Sequence, residues 1–267
     1  MKPELGHPKA RHYVENLLTS SRYTFTTGEA RSALGLSQPA LKVALNRLAR
    51  QGLIVSPVRG FHVIVPPEYR SLGSLPPEQF IPSLMKSLDI PYYAGLLTAA
   101  QYYGAAHQRP QEFQVLVEKP RRRIQSGKVR VAFFVRKNLK KVSTQTLNTP
   151  RGFLVVSTPE ATALDLVGYF HRAAGMSNVA TVLSELAEKI DPERLVKAAS
   201  AAPVPWAQRL GYLLERAGAG EKTGPLKEYV RARARESVLL RPGAPRGKSI
   251  REGAWKLLVN ADVEIDL

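Results

Sequence analysis

Apolar residues near the start of the chain recur every three or four positions, the spacing of an amphipathic helix. Between Pro8 and Ser20, Tyr13, Val14, Leu17 and Leu18 form one apolar stripe. Thr26 and Glu29 then stand at capping-box spacing, Ala30, Ala33 and Leu34 continue a short helix, and Gly35 stops it. Ser37-Gln38-Pro39 opens a third helix, with Ser37 as N-cap and Pro39 in the first turn, where its ring is tolerated. That helix runs to about Gln51, and Gly52 suits a left-handed C-cap. The pattern turns β-rich at Leu53–Ser56 and Phe61–Val65, on either side of the turn Pro57-Val58-Arg59-Gly60. Three helices followed by a β-hairpin are the element order of a winged helix, and Pro66-Pro67 closes it.

Residues 68–80 read as a linker with two short helical or turn pieces, because Gly73 and Pro76-Pro77 break any longer pattern. Beyond it, 81–88 and 96–103 are helical candidates, and Phe113–Val117, Val129–Val135 and Phe153–Val156 are strand candidates. Helices then dominate, at about 159–171, 178–190, 192–201, 205–217 and 225–235. Two apolar runs in the tail, Val238–Leu240 and Lys256–Val259, are placed to return to the sheet. The expected fold class is α+β. It comprises a winged helix-turn-helix over residues 1–67, the linker, and a larger domain over 81–267 with a small mixed sheet packed by several helices.

A helical wheel of residues 38–50 sorts the third helix into two faces. Leu41, Ala44, Leu45 and Leu48 fall within about 100° of one another and must face a core. The other side presents Pro39, Lys42, Val43, Asn46, Arg47 and Arg50. Lys42 and Arg50 suit phosphates or guanine edges, and Asn46 has the amide geometry for adenine. An outward Val43 fits a thymine methyl, while Ser37 and Gln38 can hold a phosphate at the positive helix end. Arg59 at the wing tip is placed to enter a minor groove. The alternative is a unit that mediates only protein contacts, with these charges as a solvated face.

Charge changes the picture from plausible to pointed. The chain has 267 residues and a net charge of +17, and its distribution is uneven. Residues 1–70 balance at +6, 71–158 at +9, and 159–267 at only +2. A polyanion is the natural partner for the basic part. Within it, Arg121-Arg122-Arg123 sits between two strand candidates with Lys119, Lys128 and Arg130 close by, six positive charges in twelve residues. A hairpin loop there would make a second basic site for DNA, RNA or a partner's acidic surface. Arg136-Lys137 and Lys140-Lys141 can extend the same surface, and a solvated loop is the plain alternative.

Candidate chemistry is sparse. There is no cysteine, hence no disulfide, thiolate site or cysteine nucleophile, and five scattered histidines do not suggest a metal centre. No cofactor, no metal and no catalytic residue are expected. No apolar run approaches the roughly 18–20 residues of a membrane helix, and the N-terminus lacks a signal-peptide core, so a cytoplasmic protein without a membrane partner is expected. Ser157-Thr158-Pro159-Glu160 with Asp165 gathers a hydroxyl and carboxylates. Yet Ser157 and Glu160 have capping-box spacing, and Glu160 and Asp165 lie about 140° apart on a helix. His107 with Tyr92-Tyr93 can line a small pocket, although a satisfied histidine and buried rings are commoner. A metal-dependent nuclease would need a carboxylate and a Glu-x-Lys or Asp-x-Lys pattern on its strands; here Phe113–Val117 ends in Glu118-Lys119 without the spacer. No phosphate-cradling Gly-x-x-x-x-Gly-Lys loop occurs.

Several segments together resemble the AbiEi antitoxins of type IV toxin–antitoxin systems. They are the N-terminal winged helix, Pro91–Ala100 running into Gly104-Ala105-Ala106-His107-Gln108, Ser157–Leu166, and Gln208-Arg209-Leu210-Gly211-Tyr212-Leu213-Leu214. The resemblance implies a repressor that binds inverted repeats in its own promoter, as a homodimer on DNA. It also implies an antitoxin that counteracts a co-encoded nucleotidyltransferase-like toxin, functionally and without a required stable complex. Two other readings stand beside it. One is a stand-alone winged-helix regulator with a ligand-sensing or dimerising C-terminal domain, and the other is the nuclease.

Overall fold

The computed structural model describes residues 6–105, 110–247 and 249–265. The chain opens with α1 (Gly6–Thr19), β1 (Thr24–Thr26), α2 (Thr27–Leu34), α3 (Gln38–Arg50), β2 (Ile54–Val58) and β3 (Phe61–Ile64). There follow α4 (Pro77–Ser87), β4 (Tyr92–Ala94), α5 (Leu96–Tyr102), β5 (Phe113–Val117), β6 (Ile124–Ser126), β7 (Val129–Val135), β8 (Thr144–Thr149) and β9 (Gly152–Ser157). Next come α6 (Pro159–Gly168), α7 (Met176–Leu186), α8 (Pro192–Ser200), α9 (Val204–Arg216) and α10 (Gly224–Arg233). The chain finishes with β10 (Val238–Leu239), β11 (Ile250–Glu252) and β12 (Leu257–Val259). The mixed composition makes the protein α+β. It divides into two compact units: residues 1–92, 111–135 and 146–154 form the first, and 93–110, 136–145 and 155–267 the second.

The first unit begins with the winged-helix order. Thr26 caps α2 as expected: its side chain accepts from the Glu29 amide, and Glu29 accepts from the Thr26 amide at 2.6 Å. Gly35 ends α2 in the left-handed region. Strands β1 and β2 flank β3, both antiparallel, with Phe25 opposite His62 and Ile54 opposite Ile64. Strand β3 is buried along its whole length because alternate residues serve two cores. Ile64 packs with Phe25, Leu41, Leu45 and Leu48 in the helical core. Phe61 and Val63 pack instead with Phe80, Ile81 and Leu84 of α4 and with Val115, Val117 and Val131 of the strands beyond. The stretch 68–80 holds a single 3₁₀ turn at Pro67–Tyr69 and the start of α4, and Ser74 and Leu75 within it are fully buried.

Strands β5 and β7 pair in parallel, Phe113 opposite Val131, and β6 pairs antiparallel with β7. The basic stretch 118–123 therefore joins β5 to an edge strand rather than closing a hairpin between the two predicted strands. The hairpin is the shorter β6–β7 turn at Gly127-Lys128. There a Cβ on Gly127 would come within 2.3 Å of the Leu72 carbonyl oxygen, the same oxygen that accepts from the Lys128 amide at 2.8 Å. That close approach holds the turn against the 70–73 loop.

In the second unit β4 and β9 pair in parallel, and α6 is buried on nearly every side, with neighbours among α5, α7, α8 and α9. The tail departs from expectation. Val238-Leu239 and Leu257–Val259 form, with β11, a separate three-stranded sheet in the order β10-β12-β11. Next to this small sheet the Trp255 ring lies over Gly211 of α9, and Arg209 Nε of α9 donates to the Leu239 carbonyl at 2.9 Å.

Candidate nucleic-acid interface

Helix α3 buries Leu41, Ala44, Leu45 and Leu48, the four residues of its apolar stripe. Its other face is open: Gln38, Pro39, Lys42, Asn46 and Arg50 are exposed, Arg47 is half-buried, and Val43 is 45% exposed. The Ser37 side chain makes no capping bond, so its hydroxyl points to no backbone amide of the helix. Two basic residues in the last turn, Arg47 and Arg50, lie at the negative end of the helix dipole, where positive charge stabilises the helix.

The wing is braced from both sides. The Thr27 amide donates to the Gly60 carbonyl at 2.9 Å, tying the start of α2 to the turn that carries Arg59. His62 bridges Thr27 Oγ1 at 2.9 Å and Ser56 Oγ at 2.8 Å, and its ring stacks on Phe25. Burial lowers its pKa, which favours the neutral ring. Arg151, from the β8–β9 turn, lies 3.4 Å above the Tyr23 ring and pairs with Glu68 at 3.0 Å.

Arg59 is exposed and shares a cleft of about 530 Å³ with Arg121, Arg122 and Arg123. The wing and the 118–123 segment, predicted separately, thus form one basic surface. Arg123 pairs with Glu112 at 3.2 Å, and the Arg121 guanidinium lies 6.0 Å from the Phe133 ring centre. Lys119, Lys128 and Arg130 are exposed but do not line this cleft. Arg136, read as an extension of the basic surface, is buried at 4% exposure and belongs to another arrangement.

That arrangement lies inside the second unit. Arg136 Nε donates to Asp165 Oδ1 at 2.9 Å, its terminal nitrogens reach the carbonyls of Lys137 and Ala201, and its plane sits 4.8 Å from the Trp206 ring. The Tyr93 hydroxyl donates to Asp165 Oδ2 at 2.6 Å. Burial pushes the Asp165 carboxyl up, while Arg136 and Tyr93 hold it down. Perturbed carboxyls often mark active sites. This one has no exposure and every oxygen is engaged, so it pins α6 to its neighbours.

The Ser157–Glu160 stretch is structural too, by a different route from the expected capping box. Thr158 is the N-cap, accepting from the Ala161 amide. Ser157 is buried against Thr162 at 2.7 Å, and the buried Glu160 accepts from the Asp191 amide at 3.1 Å. The Tyr103 hydroxyl donates to the Ser157 carbonyl. Tyr92 is half-exposed and Tyr93 is spent on Asp165; His107 lies outside the described residues. Among the described residues no group of three or more His, Asp or Glu gathers, and no helix is long and apolar enough to cross a membrane.

The first unit thus begins with three helices and a β-hairpin, the element order of a winged helix, with exposed basic residues on α3 and at the hairpin turn. Residues 93–216 match the model of the AbiEi antitoxin C-terminal domain, so the resemblance read from Pro91–Ala100, Ser157–Leu166 and Gln208–Leu214 holds over that stretch. That stretch of the chain is similar to the C-terminal domain of the AbiEi antitoxins. In fold the chain is similar to the crystal structure of the RV2827C protein from Mycobacterium tuberculosis, with a TM-score of 0.66 and 18% identity over 93% of this chain and 90% of that one. A nucleotidyltransferase-like antigenic protein from Paracoccidioides brasiliensis aligns at a TM-score of 0.37 and 10% identity, covering 56% of this chain and 90% of that one. A likeness of that size carries no conclusion. No curated protein matches the sequence.

Proposed function

We propose that this protein is the antitoxin of a type IV pair that represses its own operon by binding double-stranded DNA. The observation that carries the reading is the division of α3, with Leu41, Ala44, Leu45 and Leu48 buried while Lys42, Val43, Asn46 and Arg50 face solvent. Helix α3 enters the major groove: Lys42 and Arg50 meet phosphates or guanine, Asn46 reads adenine, and Val43 meets a thymine methyl. Ser37, Gln38 and Pro39 approach the backbone, Arg47 supports the phosphate contacts, and Arg59 enters the flanking minor groove. One winged helix reads few bases, so two copies on an inverted repeat give a specific site.

The match at 93–216 supports the antitoxin part. It counteracts a co-encoded nucleotidyltransferase-like toxin, acts in the cytoplasm, and does so without catalysis of its own. A reporter fused to the operon's promoter, together with growth of cells expressing the neighbouring toxin gene, tests both halves. Repression and rescue by the intact chain are expected; a silent promoter response with no rescue contradicts the reading.

A further inference from the structure

The cleft between wing and Arg121–Arg123 does not have the character of a duplex surface. Duplex DNA lays its phosphates along a convex rod and has no use for an apolar floor. Here Leu84 and Phe133 line the cleft together with four arginines. The volume of about 530 Å³ falls within the roughly 300–1,000 Å³ of small-molecule sites, and the lining mixes the arginines with the apolar Leu84, Ile124 and Phe133.

The balance of charge defines the ligand. One carboxylate, Glu112, pairs with Arg123, and among the described residues no carboxylate pairs with Arg59, Arg121 or Arg122. Three uncompensated positive charges in one cleft suit a ligand with several negative charges. Arginine forks match phosphate as well as carboxylate oxygens, and a polyphosphate presents several such groups within one ligand. The half-buried Phe133 ring, already faced by the Arg121 guanidinium, offers a surface on which a planar base stacks. We infer that this cleft binds a nucleoside polyphosphate, with its phosphates on Arg59, Arg121, Arg122 and Arg123 and its base against Phe133. Resting on the reading of Arg59 as a minor-groove contact, occupation of the cleft withdraws the wing from DNA and weakens operator binding.

Titration calorimetry on the full chain tests this with the four ribonucleoside triphosphates, tripolyphosphate and adenosine as separate probes. At least one triphosphate is expected to bind saturably and at least tenfold tighter than tripolyphosphate, with adenosine far weaker. R121A/R122A should lower nucleotide affinity at least tenfold, and F133L should lower nucleotide affinity while leaving tripolyphosphate unchanged. Melting curves verify that each variant is folded. Equal affinity for tripolyphosphate and every nucleotide, or unchanged affinity in R121A/R122A, overturns the proposal. K42A/N46A/R50A separates the two readings, because it removes DNA binding and must leave nucleotide binding intact. A nucleotide that binds but leaves operator affinity unaltered overturns the coupling.

Discussion

The Tyr93 hydroxyl donates to Asp165 Oδ2 at 2.6 Å across 72 residues of sequence, and on the other side Arg136 completes the contact at 2.9 Å. Two of the segments that carry the AbiEi resemblance, one around Tyr93 and one ending near Asp165, therefore meet in a single buried cluster. The third segment is equally structural. Gln208 donates to the carbonyls of Trp255 and Lys256, and Arg209 to that of Leu239. These residues specify how the second unit is assembled.

Removing one partner of the buried pair should be costly. Asp165→Asn leaves Arg136 inside the protein without its counter-charge and is expected to destabilise by about 3–5 kcal/mol. Tyr93→Phe leaves one carboxylate oxygen short of a donor and is expected to lose about 1–3 kcal/mol. Chemical denaturation of the two variants measures both, and a smaller loss for Asp165→Asn than for Tyr93→Phe would contradict the pairing.

Gly211 sits beneath the Trp255 ring, where a Cβ would lie 2.0 Å from a ring carbon. Gly211→Ala is expected to cost about 1–3 kcal/mol through overpacking. The double variant Gly211→Ala/Trp255→Leu should lose less than the two single changes added together, since the smaller side chain makes room. Additive losses in a double-mutant cycle would show that the ring does not press on this glycine.

His62 gives the winged helix a pH dependence whose sign is set by burial. Its folded pKa is lowered, whereas the unfolded chain takes up a proton near the ordinary value of about 6.5. Below that value the unfolded state binds more protons than the folded one. Stability therefore falls as pH drops from about 6.5 toward the lowered folded pKa, and it is fully present above. His62→Gln should flatten that part of the stability–pH curve relative to the parent, as followed by thermal melting. A parent curve that rises on acidification through this window would refute the assignment.

Arg59 is predicted to contribute one phosphate-scale charge to DNA binding. Arg59→Ala should reduce the slope of log affinity against log salt by about one without altering which sequence is preferred. An unchanged slope places the wing away from the duplex.

How much of this was legible in the sequence depends on whether the cause was local. The faces of α3 and the Thr26–Glu29 cap follow from spacing within one or two turns, and both read correctly. Strand β8 escaped notice because it is largely exposed and lacks apolar alternation, and β4 and β6 are only three residues long. The Ser157–Glu160 spacing imitated a cap, but Glu160 finds its partner 31 residues away at Asp191, a tertiary contact that no local pattern announces. Arg136 has the sequence look of surface charge because its neighbours are basic, whereas its counter-ion comes from α6. The approach of Arg59 to Arg121–Arg123 was hidden for the same reason, since it arises from the packing of β2 beside β6.

The central claim concerns the outward face of α3, and fluorescence anisotropy with a labelled duplex from the region upstream of the operon tests it most directly. At fixed salt, Lys42→Ala/Asn46→Ala/Arg50→Ala should lose specific binding while its circular dichroism and melting temperature match the parent. Undiminished affinity in that folded variant would contradict the account.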